Sequence, residues 1–367
     1  MDWQYTIMHL DEPVATIDSE GLCHIGPEDF LPYNLYLEEG EDISTRIENL
    51  NNFYYWCASR VLTLDRKYAK EILNAIGAGQ GNTDRERAGI SLSYHCVTLT
   101  DVFWVRRTGE DITFRQINLY EHSLSDAFVD VSLFGRMPTA QNLELLRPLD
   151  SAGDASTQGS APKAWIRRDN VFYLLKDGDR RDVNAELLAS RIIRCFEVSQ
   201  VLYEASSYHG ITVTKSRLFT SVSQSIASMD QVEIYAANHD TDRKTLVNAC
   251  DPYGYCMMNI LDYLVGNTDR HWGNWGFLID NRTNRPVRLH PLMDFNKSFL
   301  AYDTPDGMRC LTTEEPMSQR QAAEMAVKTV GLNQQREIIR EWFPDDEVWE
   351  MFTLRLRILK QAAGTIA

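Results

Sequence analysis

The chain has 367 residues, of which 44% are hydrophobic and 24% charged, and it carries a formal net charge of −15. This composition is typical of a folded globular protein and argues against disorder. An acidic surface repels the phosphate backbone of nucleic acids, and no Lys/Arg cluster is dense enough to offset the net charge, so direct binding of nucleic acid is not expected.

The seven cysteines are scattered along the chain and include no C-x-x-C pair. Their odd number fits reduced thiols better than a disulfide framework or a zinc site. The first residues lack the basic and apolar segments of a secretory signal. Apolar runs such as residues 257–265 fall well below the roughly 20 residues needed to span a bilayer. We therefore expect a soluble, cytoplasmic protein with no membrane partner.

Residues 1–148 read as a mixed α/β module without a catalytic constellation. Strands are predicted at residues 5–9, 14–17 and 101–105. Helices are predicted at residues 43–62 and 65–76, and glycines end the second. The aromatic residues 54–56 are interpreted as core rather than as a binding platform.

The sharpest change in composition falls at residues 149–161, where small and polar residues dominate. Such a segment is typical of a flexible loop. It can be an interdomain linker, and its composition alone favours that interpretation. It can also be a phosphate-binding loop, because Gly153 and Gly159 let backbone N–H groups approach an anion closely. It is not a Walker A loop, since no Gly-Lys-Ser/Thr follows at the required spacing.

A predicted hairpin follows, with strands at residues 164–167 and 171–176. Its second strand ends in Lys176, and a helix carrying Glu186 begins soon after. A glycine loop, a hairpin, a lysine at a strand end and a helix with a glutamate occur in this order in a kinase N-lobe, where the lysine contacts nucleotide phosphates and the glutamate holds it. Taken singly, Lys176 reads as a solvated strand-end lysine and Glu186 as a favourable first-turn carboxylate. The order of the elements favours the kinase interpretation.

A buried helix over residues 257–265, ended by Gly266, leads into Asn267-Thr-Asp-Arg-His-Trp-Gly-Asn274. Two predicted strands follow, with a turn centred on Asn284. Asn274 and Asp294 each lie ten residues from that centre, so an antiparallel hairpin would place them opposite each other, with Cα atoms about 4.5–5.5 Å apart. An amide oxygen and a carboxylate at that separation can share one Mg²⁺.

Asp269 and Asn274 reproduce the spacing of the kinase catalytic loop, which has an Asp, four residues and an Asn, with a metal-binding Asp further on. In this interpretation Asp269 orients or deprotonates the attacking hydroxyl, while Asn274 and Asp294 hold Mg²⁺ against the phosphates of ATP. The Asp-x4-Asn pattern is common, and Asn/Asp-rich turns around an ordinary hairpin would also contain it. His271 can be a proton shuttle or a structural histidine that braces the loop.

Residues 267–274 resemble the Asp-x-His-x-x-Asn catalytic loop of the HipA-like bacterial serine/threonine kinases. Asp294, in Pro-Leu-Met-Asp, stands where that family carries its metal-binding Asp. Residues 159–164 resemble its Gly-x-Gln-x-Lys-x phosphate loop, and residues 173–176 its strand with the ATP lysine. The resemblance covers roughly residues 150–300. We expect an α+β fold with an N-terminal α/β module (1–148), a kinase-like β-rich N-lobe (149–228) and a mostly helical C-lobe (229–367).

Carried over by position, the resemblance implies ATP and Mg²⁺ as cofactors and a protein as substrate. It implies Asp269 as the catalytic base with His271 in the same loop, Asn274 and Asp294 as metal ligands, and Gly159, Ser160, Lys163, Lys176 and Glu186 as the ATP and phosphate site. Family members autophosphorylate a serine in the glycine loop, and Ser156 matches that place, with Thr157 and Ser160 as neighbours. The added charge of about −1.5 to −2 would oppose the docking of ATP phosphates. Family kinases often act as toxins beside an antitoxin, so an antitoxin or regulator protein is an expected partner.

Three other functions fit parts of the sequence. Asp269-Arg-His271 with Asp294-Phe295 also resembles phosphoinositide-type lipid kinases, although Asn296 replaces the usual Gly and no basic membrane patch accompanies the site. A pseudokinase would bind ATP without transfer. A metal hydrolase would use the cluster at residues 239–242, which lacks further histidines at ligand spacing and reads as a solvated turn.

Overall fold

The computed structural model describes residues 4–79, 81–122, 124, 126–137, 148–176 and 179–364. Within these ranges the architecture is α+β, and the strands form three antiparallel sheets. No helix in the described ranges is long and apolar enough to cross a membrane.

The first sheet belongs to the N-terminal part of the chain and has the strand order β3-β2-β1-β4. Its strands are β1 Gln4–His9, β2 Glu12–Asp18, β3 Cys23–Ile25 and β4 Phe103–Arg107. Tyr5 and Ile7 of β1 are buried together with Phe53 and Trp56 of helix α1 (Ile43–Ala58). Burial of alternate residues is expected where one face of a sheet is covered by a helix.

The other helices that precede the second sheet are short. They are α2 Ala69–Ala75, α3 Asp84–Ser93, α4 Phe114–Ile117, α5 Asp126–Phe134 and α6 Pro148–Ala155. Helix α1 begins after Asp42, whose carboxylate accepts a hydrogen bond from the Thr45 N–H at 3.0 Å. It ends at Ala58, before the predicted residue 62, because the following residues turn and bring Arg60 into the core. There the Arg60 guanidinium pairs with Asp101 at 2.6 Å.

The second sheet carries the predicted lysines and has the strand order β5-β6-β8-β7. Its strands are β5 Lys163–Arg168, β6 Val171–Lys176, β7 Tyr203–Tyr208 and β8 Ile211–Arg217. The predicted β5–β6 hairpin is confirmed, and its turn residues Asp169 and Asn170 have φ values of 50° and 61°, as a tight two-residue turn requires. The ladder pairs Lys163 with Lys176. Helix α7 (Arg180–Ile193) follows this hairpin and carries Glu186 on its buried side.

The third sheet and five α-helices lie in the rest of the described chain, together with short 3₁₀ turns at Trp272–Asn274 and Arg340–Trp342. The strands are β9 Gln224–Ser228, β10 Gly276–Asp280 and β11 Arg285–Leu289, in the order β11-β10-β9. The helices are α8 Met229–Ala237, α9 Arg243–Cys250, α10 Pro252–Val265, α11 Gln319–Val330 and α12 Asp346–Ala362. Residues 257–265 of α10 are all buried, and α10 is the centre of the largest hydrophobic cluster. Arg355 of α12 is fully buried and donates to the Tyr263 carbonyl at 2.7 Å, which fixes α12 against α10.

The prediction of a loop at residues 149–161 is wrong for the first half of that segment, because helix α6 extends to Ala155. The small residues there allow close packing: Ala152 and Ala155 are fully buried, and a Cβ on Gly153 would meet Leu124 at 3.5 Å. Gly153 is therefore a helix residue and not part of a phosphate loop. Both alanines share one hydrophobic cluster with residues of the N-terminal part. The division of the chain at residues 148 and 228 stays a prediction.

The predicted hairpin register that placed Asn274 opposite Asp294 is also wrong. Strands β10 and β11 pair Phe277 with Leu289 and Asp280 with Arg285, with an irregularity between them. The turn lies earlier than predicted because Asn284 is anchored from outside the hairpin: its amide donates to the Asp29 and Leu31 carbonyls, each at 2.9 Å. Asn274 instead ends a short 3₁₀ turn before β10, and Asp294 follows β11 in irregular chain.

Candidate active site

The loop at residues 267–274 is held by a buried ion pair. Helix α10 ends at Gly266, whose left-handed conformation (φ 59°) turns the chain into the loop. Arg270 then reaches back to Asp262 of α10, with Nε and Nη2 donating to the two carboxylate oxygens at 2.8 and 3.0 Å. Bidentate pairs of this kind fix geometry as well as charge. The loop backbone is thus tied to a helix whose last nine residues are all buried.

The same guanidinium brings Asn274 and Asp294 into one region. Arg270 Nη1 donates both to the Asn274 carbonyl at 2.9 Å and to the Met293 carbonyl at 2.6 Å. Because the two carbonyl oxygens share one nitrogen, the chain on either side of the β10–β11 hairpin is drawn together without ladder pairing. The proximity that the sequence suggested therefore has a different physical origin.

Asp269 is half-buried and lies beside these residues. Its carbonyl accepts a hydrogen bond from the Asn274 amide at 2.9 Å, and its N–H donates to the Asn267 side-chain oxygen at 3.2 Å. Burial raises the pKa of the Asp269 carboxyl; His271 opposes the shift and the negative charge of Asp294 adds to it. The carboxyl groups of Asp269 and Asp294 are thus close enough to interact.

Asp294 is held in an uncommon backbone conformation, with φ at 58°. Its N–H donates to the Tyr203 hydroxyl at 3.0 Å, and its carboxylate Oδ1 lies 2.5 Å from Lys176 Nζ. Burial would raise the pKa of Asp294, but the positive charges of Lys176 and Lys163 outweigh it and lower the pKa to about 2. Asp294 is therefore an anion at neutral pH. A non-Gly residue at positive φ is often found where function fixes a side chain.

Lys176 joins the two sides of the site. Its Nζ lies 3.3 Å from Glu186 Oε1 and 2.5 Å from Asp294 Oδ1. The other Glu186 oxygen accepts a hydrogen bond from the Thr214 hydroxyl at 2.8 Å. Burial would lower the pKa of Lys176, but Asp294 and Glu186 together raise it, so the ammonium stays charged.

Lys163 lies at the glycine loop, which we define as residues 156–162. Its Nζ donates to the Gln158 carbonyl at 2.8 Å, and Gly159 has a φ of +96°, which favours glycine. A Cβ on Gly159 would lie 2.5 Å from Lys163 Nζ, so only glycine lets the ammonium approach the loop so closely. Burial and the like charge of Lys176 lower the pKa of Lys163 to about 7.

The three autophosphorylation candidates differ in accessibility. Ser156 is buried and donates to the Gly153 carbonyl at 3.4 Å. Thr157 donates to the same carbonyl at 2.5 Å and accepts a hydrogen bond from Trp165 Nε1 at 2.8 Å. Ser160 is exposed. Ser160 is therefore the candidate whose hydroxyl is open to solvent in this conformation.

His271 is exposed at the rim of the catalytic loop. Its Nδ1 accepts a hydrogen bond from the Gly273 N–H at 3.1 Å, which caps the short 3₁₀ turn ending at Asn274. This contact gives the histidine a bracing function in the loop. The alternative metal cluster at residues 239–242 is a solvated turn, where Asp242 caps helix α9 through the Thr245 N–H at 2.8 Å.

The donor set of Asn274 and Asp294 fits a hard cation. The Asn274 amide nitrogen is used by the Asp269 carbonyl, and within the described ranges its amide oxygen accepts no hydrogen bond. The Asp294 carboxylate, whose pKa is lowered, offers anionic oxygens beside it. Mg²⁺ prefers such oxygen donors and usually completes its shell with substrate phosphates and water. Among the described residues no group of three or more His, Cys, Asp or Glu could hold a metal by itself.

Sequence reasoning missed several residues that position the site. Arg270 lies inside the motif and could have been found as the basic residue next to Asp269. Lys297 follows Asp294 by three positions, and its Nζ lies 2.6 Å from Asp182 of α7. Tyr203, which holds the Asp294 N–H, lies 91 positions away and carries no local signal.

Comparisons with known proteins place the fold. No family model matches the chain, and no curated protein matches it. Among solved structures it is similar to HipA from the toxin–antitoxin complex of Shewanella oneidensis MR-1 with HipB and operator DNA, at 11% identity and a TM-score of 0.52, covering 98% of this chain and 90% of that one. The chain has a HipA-like kinase fold. It is also similar to the Helicobacter pylori proinflammatory kinase CtkA, at 13% identity and a TM-score of 0.44, covering 56% of this chain and 91% of that one.

Proposed function

We propose that the chain is an ATP- and Mg²⁺-dependent protein serine/threonine kinase. One observation supports this most directly: Lys176 contacts both Glu186 and Asp294, and the charge of Asp294 is near enough to help raise the pKa of Asp269. A lysine–glutamate pair, a metal-binding aspartate and a catalytic-loop aspartate are the parts that phosphoryl transfer by kinases requires in one place. The HipA-like fold agrees with this assignment.

The side chains have separate tasks in the proposed reaction. Lys163 and Lys176 are neighbours in the β5–β6 ladder and present two ammonium groups to the phosphates of ATP. Asp294 and Asn274 would hold Mg²⁺, which when bound neutralises charge on the phosphates. Glu186 keeps Lys176 in position.

Asp269 acts on the acceptor. Its carboxylate accepts the proton of the Ser or Thr hydroxyl as the new oxygen–phosphorus bond forms and the bond between the γ-phosphorus and the β-phosphate oxygen breaks. The raised pKa of Asp269 makes this carboxylate a stronger base than an ordinary aspartate, which suits the role of proton acceptor. The Asp269 backbone is fixed before the acceptor arrives, because its N–H donates to the Asn267 side chain and its carbonyl accepts from the Asn274 amide.

Partners are proposed on the same basis. The similar HipA structure is a complex with HipB and operator DNA. We propose that this chain, too, is toxin-like and is restrained by a regulator protein of the antitoxin kind. The glycine loop is the proposed place of autophosphorylation, with Ser160 as the exposed hydroxyl.

The test is transfer of label from [γ-³²P]ATP with Mg²⁺ to the protein itself or to lysate proteins. Asp269→Asn should lower the rate about 10²–10⁴-fold, the range expected for removal of a general base. Asp294→Asn should lower both transfer and binding of MgATP. Asp280→Asn, an aspartate on the same hairpin that pairs with Arg282 away from the site, is the matched control and should resemble the wild type.

The outcomes separate the alternatives. Unchanged labelling in both site variants would contradict the proposal. Label in lipid vesicles rather than in protein would identify a lipid kinase. Nucleotide binding without any transfer would identify a pseudokinase. Thermal unfolding of each variant checks that it is folded.

A further inference from the structure

The glycine loop is contacted by a segment almost one hundred residues upstream. Residues 59–67, which connect α1 to α2 in the N-terminal part and which we call the strap, run beside residues 154–163. The contacts are hydrogen bonds of backbone and side chain from both segments. The strap contains none of the residues assigned to the proposed reaction, whereas residues 154–163 include Lys163.

Arg66 makes the central contact. It is 2% exposed, and its Nη1 donates to the carbonyls of Asp154 at 2.8 Å and Thr157 at 3.1 Å. Its Nη2 donates to the Lys163 carbonyl. One guanidinium therefore joins the residues before, within and after the glycine loop. A buried arginine that donates to three carbonyls satisfies groups that would otherwise be orphaned.

A side chain of the glycine loop also donates hydrogen bonds to the strap. Gln158 Nε2 donates to the strap carbonyls of Ser59 at 3.0 Å and Val61 at 2.8 Å. Two backbone bonds run in the opposite direction, from the strap N–H groups to the carbonyls of residues 155 and 160, at 2.6 and 2.9 Å. The strap is thus hydrogen-bonded to the residues on either side of the glycine loop and to residues within it.

Lys163 connects this arrangement to the site. Its carbonyl is held by Arg66, while its Nζ donates to the Gln158 carbonyl, and Gln158 is itself held by the strap. The position of the ammonium next to Lys176 therefore depends on the strap. A shift of the strap would move both the loop and the lysine that faces the phosphates.

We propose that the strap positions the glycine loop for the nucleotide, with Arg66 as the principal positioning residue, so that the N-terminal part of the chain is a component of the nucleotide site. This inference rests on the proposed kinase function. A loop rich in small residues loses much conformational freedom when it closes on a ligand. The strap orders it in advance, and a partner that displaces the strap would weaken ATP binding without touching the catalytic residues.

The experiment compares three variants of the whole chain. Arg66→Met removes the donors and keeps an apolar stem, and Gln158→Glu removes an exposed donor with little change in size. Arg46→Met is the matched control, because Arg46 lies in the same part of the chain and donates to the Glu20 carbonyl at 3.1 Å, away from the loop. The dissociation constant of a fluorescent ATP analogue with Mg²⁺, the KM for ATP, kcat, and hydrogen exchange of residues 155–163 without nucleotide are measured.

We expect Arg66→Met to weaken nucleotide binding roughly tenfold or more and Gln158→Glu roughly threefold. Both should raise KM far more than they lower kcat, and both should speed hydrogen exchange in the loop. Arg46→Met should match the wild type. A purely structural arginine would lower the melting temperature but leave the ratio of KM to kcat unchanged.

The inference is overturned if loop exchange and nucleotide affinity are unchanged in Gln158→Glu and Arg66→Met, or if Arg46→Met loses as much affinity. Should Arg66→Met fail to fold, hydrogen exchange of the loop in Gln158→Glu decides, because exchange without nucleotide does not depend on repulsion between the new carboxylate and the phosphates of ATP. A wild-type protein that binds no nucleotide would instead refute the proposed kinase function. In that case the exchange measurement still shows whether the strap holds the loop.

Discussion

The two loops of the proposed site are held in different ways. The catalytic loop, residues 267–274, is tied to the helix that precedes it: the Arg270–Asp262 pair spans 8 positions in the chain. The glycine loop is tied to a distant segment, since the hydrogen bond from Arg66 to the Lys163 carbonyl spans 97 positions.

Because of this difference, the residues proposed for phosphoryl transfer and the loop proposed to bind the nucleotide are held by separate contacts. The proposed catalytic loop is anchored to the helix that precedes it, so Asp269 and Asn274 should stay in place as long as α10 is folded. The glycine loop keeps its shape only while the strap stays in place. Regulation of this protein is therefore expected to act on the glycine loop rather than on the catalytic aspartates.

The largest expected effect tests the internal anchor of the catalytic loop. Arg270→Met leaves Asp262 charged, buried and unpaired, a change that typically costs 3–5 kcal/mol. We expect the free energy of unfolding, measured by urea titration, to fall by about that amount and phosphoryl transfer to be lost. The comparison predicts a much smaller loss of stability for Gln158→Glu, because Gln158 is exposed and its hydrogen bonds are to neutral backbone carbonyls.

The control for this prediction is Arg282→Met. Arg282 also pairs with an aspartate, at 2.8 Å, but its side chain is 84% exposed, so the variant should remain close to the wild type. A folded, active and equally stable Arg270→Met protein would show that the catalytic loop does not depend on its anchor. The contrast between the two loops would then be wrong.

The next effect concerns pH and the lysine of the glycine loop. Burial and the neighbouring Lys176 lower the pKa of Lys163 to about 7, so above pH 7 this lysine is mostly neutral in the absence of nucleotide. Phosphate favours the charged form, and binding above pH 7 must then take up a proton. ATP affinity should fall as pH rises from 7 to 9, by up to about tenfold per pH unit. Lys176, whose pKa is raised, stays charged and contributes no such dependence.

Titration calorimetry in buffers of different ionisation enthalpy measures the proton uptake directly. Lys163→Met should bind ATP more weakly and with a flat pH dependence in this range. A flat profile in the wild-type protein would mean that Lys163 is charged throughout or does not face the phosphates. Either result would remove the pH-sensitive group from the glycine loop.

The sequence predicted the proximity of residues 269, 274 and 294 better than the local structure of residues 149–161, for the same physical reason. Asp269, Asn274 and Asp294 stand in a local order, and local order can be recognised in a single sequence. The hairpin register could not be predicted, because it depends on Asn284 bonding to carbonyls more than 250 positions away. Helix α6 was missed because a run of small residues reads as a loop until the partners that pack against it are known.

The N-terminal part shows the same limit. Three strands of its sheet were predicted and β3 was missed. Arg66 fell inside the helix predicted at residues 65–76, whereas the observed helix begins at Ala69, so Arg66 carried no sign of its role. Tyr203, which holds the backbone of Asp294, likewise carried no signal. Residues that position a site from far along the chain are visible only after the fold has brought them there.

The smallest expected effect concerns the ion pair between Lys297 and Asp182, which joins α7 to the segment after Asp294 at 2.6 Å. The Lys297 side chain is 38% exposed, and such pairs contribute about 0–1 kcal/mol. Asp182→Asn removes a negative charge near the proposed phosphate site, so ATP should bind up to about threefold more tightly at low salt. At about 0.5 M NaCl the difference should vanish, because the Debye length is then only a few ångströms and the charges are screened.

Glu204→Gln is the matched control, since Glu204 pairs with Lys215 at 3.3 Å on strands β7 and β8 and is 64% exposed. Its ATP affinity should equal that of the wild type at both salt concentrations. A tenfold loss of affinity in Asp182→Asn would show instead that this pair closes the site around the nucleotide. The two lobes would then hold the nucleotide through a contact in which neither the strap nor the catalytic-loop anchor takes part, and access would be controlled at two places rather than one.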